Sequence, residues 1–91
     1  MTDKDILLSA IELYGIPAQM DMCIEEMSEL TKELCKNKRG RDNKDAIAEE
    51  IADVEIMLAQ MKLAFAIASE VNKVRIGKIK RLMWRMTEGN K

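Results

Sequence analysis

Acidic residues recur at helical spacing in two separate segments of the chain. In EEMSEL, residues 25–30, Glu26 and Glu29 lie one helical turn apart, and in EEIADV, residues 49–54, Glu50 and Asp53 have the same spacing. If two helices with these pairs pack antiparallel, about 8–10 Å apart, the four carboxylates can converge. Such a cluster requires a cation, and its oxygen ligands suit a hard divalent ion such as Mg²⁺. A solvated acidic face is the ordinary alternative for any single carboxylate, but two matched pairs favour the metal.

Other kinds of metal site fit the sequence poorly. A di-iron carboxylate bundle needs Glu-x-x-His motifs, and the chain contains no His. An EF-hand holds its acids in a loop, whereas these acids fall in helical segments. Zinc is disfavoured because there is no His and no second cysteine pair. Cys23 and Cys35 are too far apart on one predicted helix to form a disulfide, so we expect free thiols in a reducing compartment.

Four helices are expected to position these residues. Glycine and proline divide the chain into helical segments, and no segment has the alternation of a strand. The sequence therefore predicts an all-α fold, a four-helix bundle formed by one domain over residues 1–91. The predicted helices run from Asp3 to Tyr14, from Pro17 to about Lys36, from near Asn43–Ala46 to about Ala68, and from a cap at Ser69 to about Met86.

Composition predicts that the chain does not act as a single copy. It has 91 residues, of which only 3% are aromatic, so a monomer would bury little surface and be marginally stable. The third predicted helix is apolar on nearly all sides, which is typical of a helix between a chain neighbour and a second subunit. We therefore expect the bundle to be completed by homo-oligomerisation.

Charge and hydropathy limit the partners further. A net charge of −1 argues against a nucleic-acid polymer as the ligand. The longest apolar run, IMLAQMKLAFAIA, is too short and too polar for a membrane span, and the start of the chain does not have the pattern of a secretory signal. The expected location is the cytoplasm.

EEMSEL followed by EEIADV, with 20 residues between Glu29 and Glu50, resembles the MazG-like branch of the all-α nucleoside triphosphate pyrophosphohydrolases. That family is marked by Glu-Glu-x-x-Glu and then Glu-x-x-Asp on two successive helices, and the resemblance covers roughly residues 14–86. It implies Mg²⁺ as the cofactor, with Mn²⁺ as a possible substitute, and a tetramer rather than a dimer. The implied metal ligands are Glu26, Glu29, Glu50 and Asp53.

The resemblance also implies a reaction. Members of the family cleave a nucleoside triphosphate between the α- and β-phosphates, giving a nucleoside monophosphate and pyrophosphate. Because the chain has no His and no evident Ser or Cys nucleophile with a base, water must attack. A metal ion can acidify that water, and a nearby carboxylate can accept its proton. Glu25 and Glu49, which precede the two motif pairs, are both candidates for that base.

Basic residues are candidates for binding the triphosphate. Lys78 and Arg81 fall on one face of the fourth predicted helix and fit basic positions of the family, although a solvated face is the simpler explanation. Lys44, with the other basic residues of the loop NKRGRDNKD, would close over the phosphates, or would only keep the loop soluble.

A second function from a different class stays open. The chain would then be a non-catalytic helical oligomerisation or adaptor module, or a degenerate family member that binds a nucleotide without hydrolysing it. The presence of all four implied ligands favours the NTP or dNTP pyrophosphohydrolase. No motif in the sequence indicates which base or sugar is preferred.

Overall fold

The computed structural model describes residues 1–89, which form helices joined by short turns. No strand occurs in these residues, so the all-α prediction is confirmed. The last two residues of the predicted domain, Asn90 and Lys91, lie outside the described part. The elements are α1 (Asp3–Tyr14), α2 (Ile16–Lys38), α3 (Lys44–Ala64), α4 (Ala68–Trp84) and a π-helical turn (Arg85–Gly89).

The first helix begins and ends at the predicted residues. A capping box starts it, because the backbone N–H of Asp5 donates to Thr2 Oγ1 at 3.1 Å and that of Thr2 donates to Asp5 Oδ2 at 3.0 Å. Gly15 ends it with φ +88°, a conformation that suits glycine, and its N–H donates to the carbonyl of Ile11 at 2.8 Å. Pro17 follows in the first turn of α2.

A polar clamp joins the end of α2 to the start of α3. Asn43 Nδ2 donates to the carbonyl of Glu33 at 2.9 Å and to Glu33 Oε1 at 3.1 Å. Asn37 Nδ2 donates to Asn43 Oδ1 at 3.2 Å. Because these bonds connect residues up to ten positions apart, they fix how the two helices meet at this turn.

The turn between α3 and α4 differs from the prediction. α3 ends at Ala64, and Ala66 takes the left-handed φ of +54°. The N–H of Ile67 then donates to the carbonyl of Lys62 at 3.0 Å, a helix-ending bond of the Schellman type. α4 begins at Ala68 with Ile67 as its N-cap, so the predicted cap at Ser69 is wrong. Ser69 lies inside the first turn because backbone hydrogen bonds, not a side chain, form this junction.

Packing is concentrated between α2 and α3, and α1 lies against both. The buried apolar side chains are Cys23 on α2 and Val54 and Met57 on α3. α4 makes few contacts with α3 and, within residues 1–89, none with α1 or α2. The α2–α3 hairpin is therefore the most extensively packed part of residues 1–89, and α4 leaves it at one end.

Two further features concern the surface. None of the helices in residues 1–89 combines the length and the apolar character that crossing a bilayer requires.

At the end of α4 the indole of Trp84 lies over Gly89, where a Cβ atom would come within 2.9 Å of the ring. Trp84 still keeps 58% of its surface exposed.

Candidate metal centre

Three carboxylates from two helices converge between α2 and α3. Glu26 of α2 and Glu50 and Asp53 of α3 each offer one oxygen, and these oxygens all lie within 4.8 Å of one another. Glu26 and Glu50 are half-buried, whereas Asp53 is exposed. The group, called here the acidic cluster, is therefore closed on the helix side and open to solvent on the side of Asp53.

Within residues 1–89, no basic side chain neutralises the acidic cluster. In the described residues, no Lys or Arg forms an ion pair with Glu26, Glu50 or Asp53. The salt bridge on α2, at 3.1 Å, joins Lys36 to Glu33 instead. Partial burial, together with the charges of Asp53 and Glu50, raises the pKa of Glu26. The arrangement thus costs free energy unless a proton or a cation occupies it.

Glu50, a member of the acidic cluster, also has a buried carboxylate oxygen. Glu50 Oε2 is buried and neither accepts a hydrogen bond nor contacts a cation in the described residues. A buried carboxylate oxygen without a partner is among the more costly arrangements in a protein. A hard divalent cation satisfies such oxygens, and carboxylates with open positions for water are the ligands that Mg²⁺ takes. The residues present therefore fit the predicted ion.

The fourth predicted ligand does not join the other three. Glu29 is exposed, and its carboxylate is not in the group whose oxygens lie within 4.8 Å. Its position one turn beyond Glu26 on α2 keeps it near the cluster. Because an exposed glutamate is free to change rotamer, Glu29 stays a predicted ligand rather than an observed member of the cluster.

The two candidates for the catalytic base lie at the edge of the site. Glu25 and Glu49 are exposed, and each directly precedes a member of the acidic cluster. Neighbouring residues on a helix point in different directions, so neither carboxylate is in the cluster itself. Their predicted role in accepting a proton from water stays a prediction.

The predicted phosphate-binding residues are spread over the molecule. Lys44 begins α3, six residues and about 9 Å along the helix axis before Glu50. A polar depression is lined by residues that precede Lys44 in the sequence, namely Lys36, Arg39, Gly40 and Arg41. Lys78 and Arg81 lie on α4, which does not contact α2 within residues 1–89, so a single chain does not bring them to the acidic cluster.

Two buried amides extend the seam between α2 and α3 and are absent from the sequence predictions. Gln19 lies two turns before Glu26, and Gln60 lies two turns after Asp53. Both side chains are buried, and Gln60 Oε1 has no hydrogen-bond partner in the described residues. A sequence signal for them exists, because each glutamine lies seven residues, or two helical turns, from a predicted ligand. Gln60 also shares one face of α3 with Asp53 and Met57.

Comparisons with known proteins do not add to this geometry. No protein-family model, curated protein or solved structure matches the chain. The similarity to MazG-like pyrophosphohydrolases therefore stays a prediction from the two acidic motifs, and a function has to be proposed from the site itself.

Proposed function

We propose that the chain is a Mg²⁺-dependent nucleotide pyrophosphohydrolase of the MazG-like type. It would cleave an NTP or dNTP between the α- and β-phosphates and release a nucleoside monophosphate and pyrophosphate. The observation that carries this proposal is the convergence of Glu26, Glu50 and Asp53 from two helices, together with a buried oxygen of Glu50 that has no partner in the described residues.

The acidic cluster would hold the metal and leave room for a substrate. Glu26, Glu50 and Asp53 would be ligands, with Glu29 as the fourth. When bound, Mg²⁺ would stabilise charge on the phosphates and lower the pKa of a coordinated water. Since Asp53 is exposed, phosphate oxygens have access to the cluster from the solvent side.

The chain's own residues would supply the proton transfer and phosphate contacts. Glu25 or Glu49, exposed beside the cluster, would accept a proton from the attacking water. Lys44 would contact the phosphates from the start of α3, and Lys78 and Arg81 would do so from α4. An arginine contact would be bidentate, which helps to orient a phosphate group.

The location and the copy number belong to the same proposal. Cys23 is a buried free thiol and Cys35 an exposed one, and both would stay reduced in the cytoplasm. The enzyme would work as a homo-oligomer, with a tetramer favoured over a dimer.

Pyrophosphate release is the decisive measurement for this proposal. A panel of canonical and modified NTPs and dNTPs would be incubated with Mg²⁺ or Mn²⁺, and monophosphate would be resolved from diphosphate products. Glu50→Gln is expected to abolish pyrophosphate release without changing the helical circular dichroism, because it removes a charged ligand but preserves the side-chain shape.

Glu55→Gln is the matched control. Glu55 is an exposed acid of the same helix, but it lines a groove between α1 and α3 and is not in the acidic cluster. It is expected to turn over at the wild-type rate. Normal turnover by Glu50→Gln would show that the metal assignment is wrong.

A non-catalytic oligomerisation or adaptor module is the second candidate. The observation in its favour is the large exposed apolar surface, which includes Ile56 at 49% and Leu58 at 44% on α3. In calorimetry, such a module would release no heat from specific binding of Mg²⁺. Its melting temperature would not rise when the metal is added. Either response to Mg²⁺, lost in Glu50→Gln, would favour the enzyme.

A further inference from the structure

The α4 helix has an apolar face that the other described residues of its chain do not cover. None of its residues is buried, and Val74, Ile79 and Leu82 each expose about half of their surface. These side chains and Val71 line a groove of about 660 Å³ along one face of the helix, here called the α4 groove. A helix of 17 residues with Gly77 in its interior is marginal on its own, so something must pack against it.

The exposed area indicates how large the missing partner is. The chain has 7232 Å² of accessible surface, whereas a compact folded chain of 10.4 kDa has about 5,400 Å². Its radius of gyration is 16.4 Å, against about 12 Å for a compact domain of this length. Removing an excess of roughly 1,800 Å² from each of two chains gives an interface in the range of obligate homodimers. A second copy has the required size, whereas a short peptide does not.

The distribution of charge indicates which surfaces meet. α4 has five basic residues and one acid, whereas α1, α2 and α3 together have thirteen acids and six basic residues. These three helices are called here the acidic body. Opposite charge favours contact between α4 of one copy and the acidic body of another. Like charge disfavours contact between two α4 helices. Because every chain carries both surfaces, the contact can be reciprocal around a two-fold axis.

We propose that α4 of each chain docks through the α4 groove on the acidic body of a second copy. The arrangement brings Lys78 and Arg81 of one copy to the acidic cluster of the other, where no Lys or Arg of residues 1–89 of the same chain makes an ion pair. Lys78 lines the α4 groove itself, so it lies at the contact. The role of these two residues in binding phosphate rests on the proposed function, whereas the docking does not.

Sedimentation equilibrium tests the contact first. The wild type is expected to have the mass of a dimer or of a multiple of a dimer. Val74→Asp places a charge in the α4 groove and is expected to give a mass of one chain at micromolar concentration. Asn72→Asp adds the same charge to α4 away from the lining of the groove and is expected to leave the mass unchanged. A wild-type monomer would overturn the proposal.

Cross-linking tests the geometry without any substitution. Chains in normal and ¹⁵N-labelled form are unfolded together, refolded and treated with a carbodiimide, which joins the Lys78 amine to a carboxylate in contact. Peptides linking Lys78 to Glu26, Glu50 or Asp53 are expected, and about half should combine one light and one heavy part, as random pairing predicts. Links found only within light or within heavy chains would show that α4 folds on its own body, and the absence of these links would equally overturn the proposal.

The cross-linking result does not depend on catalysis. Mixed links in a protein that releases no pyrophosphate would support the docking and contradict the proposed function. Pyrophosphate release with unmixed links would do the reverse.

Discussion

At the scale of single residues, the carboxylates of the acidic cluster have unequal environments. Glu50 has a buried oxygen that no group of residues 1–89 contacts by a hydrogen bond, Glu26 has a raised pKa, and Asp53 is open to solvent. An unneutralised cluster should therefore respond to pH and to divalent cations in ways that differ from residue to residue. Two predictions follow from these differences.

The raised pKa of Glu26 predicts how stability without metal depends on pH. The folded state holds the proton of Glu26 more tightly than the unfolded state, whose reference pKa is 4.5. The contribution of Glu26 to the free energy of unfolding is therefore greatest below pH 4.5 and decreases as the pH rises through the raised value. Urea unfolding in EDTA over a pH series would measure it.

Glu26→Gln provides the comparison that isolates this effect. Asp5 and Glu33 have lowered pKa values, because of hydrogen bonds from Thr2 and from Asn43 respectively, so they lose stabilisation as the pH falls. This loss is the same in the wild type and in Glu26→Gln, so it cancels in the difference between their free energies of unfolding. The prediction would be contradicted if the free energy of unfolding changed with pH by the same slope in wild type and Glu26→Gln above pH 4.5.

Glu29 and Glu50 are predicted to differ in their effect on metal affinity. Glu29→Gln should weaken Mg²⁺ binding less than Glu50→Gln, because Glu29 lies outside the group of converging oxygens. Calorimetric titration with Mg²⁺ measures both, and Glu55→Gln again serves as the control. An equal loss in the two variants would mean that Glu29 rotates into the site and is a full ligand.

At the scale of elements, the α2–α3 hairpin positions the acidic cluster, and the Asn43 clamp holds one end of that hairpin. The carboxylates meet only if α2 and α3 pack in one register, since a shift by one residue turns each side chain away. The clamp fixes this register through hydrogen bonds to the carbonyl of Glu33 and from Asn37.

Removal of the clamp is therefore expected to affect both stability and metal binding. Asn43→Ala loses three hydrogen bonds: two neutral ones of about 1 kcal/mol each and a third to the Glu33 carboxylate. The free energy of unfolding should therefore fall by about 2–4 kcal/mol. Mg²⁺ affinity should fall as well, although Asn43 is not a ligand. Urea unfolding and calorimetry measure the two effects. Asn72→Ala, an exposed site on α4, should change neither, and an unchanged affinity in Asn43→Ala would separate the clamp from the site.

The sequence predicted these elements where local signals were strong. The bounds of α1 and the loop before α3 agree with the structure because Gly15, Pro17 and the loop's Gly and Asn residues mark them. The turn after α3 has no such mark, since Ala66 takes a conformation that usually indicates glycine. The spacing of the two acidic motifs predicts that Glu26, Glu50 and Asp53 lie close together, as the structure has them. The position of Glu29 depends on how α2 rotates against α3, which helical spacing alone does not determine.

At the scale of the whole molecule, one chain carries an acidic body and a basic helix, and within residues 1–89 the two touch only where α4 meets α3. The exposed surface is larger than that of a compact chain of this mass and the buried apolar core is small, so an isolated chain would be only marginally stable. If a second copy supplies the missing packing, folding and association are one equilibrium.

The melting temperature is accordingly expected to rise with protein concentration. Circular dichroism melts over roughly a hundredfold range of concentration would show the shift for the wild type, because dilution favours the unfolded single chain. Asn72→Asp should show the same dependence. Val74→Asp, which is expected to be a single chain, should melt at a temperature that does not change with dilution. A wild-type melting temperature independent of concentration would contradict the prediction.

The packing of Trp84 over Gly89 gives the molecule an optical reporter. Trp84 is the only tryptophan of the chain, and it lies at the end of α4 with more than half of its surface in water. Its fluorescence therefore originates from the helix proposed to dock, with no background from the α2–α3 hairpin. Transfer of the indole from water to an apolar contact would move its emission to shorter wavelength, so association of the α4 helix is open to measurement in real time with the unmodified protein.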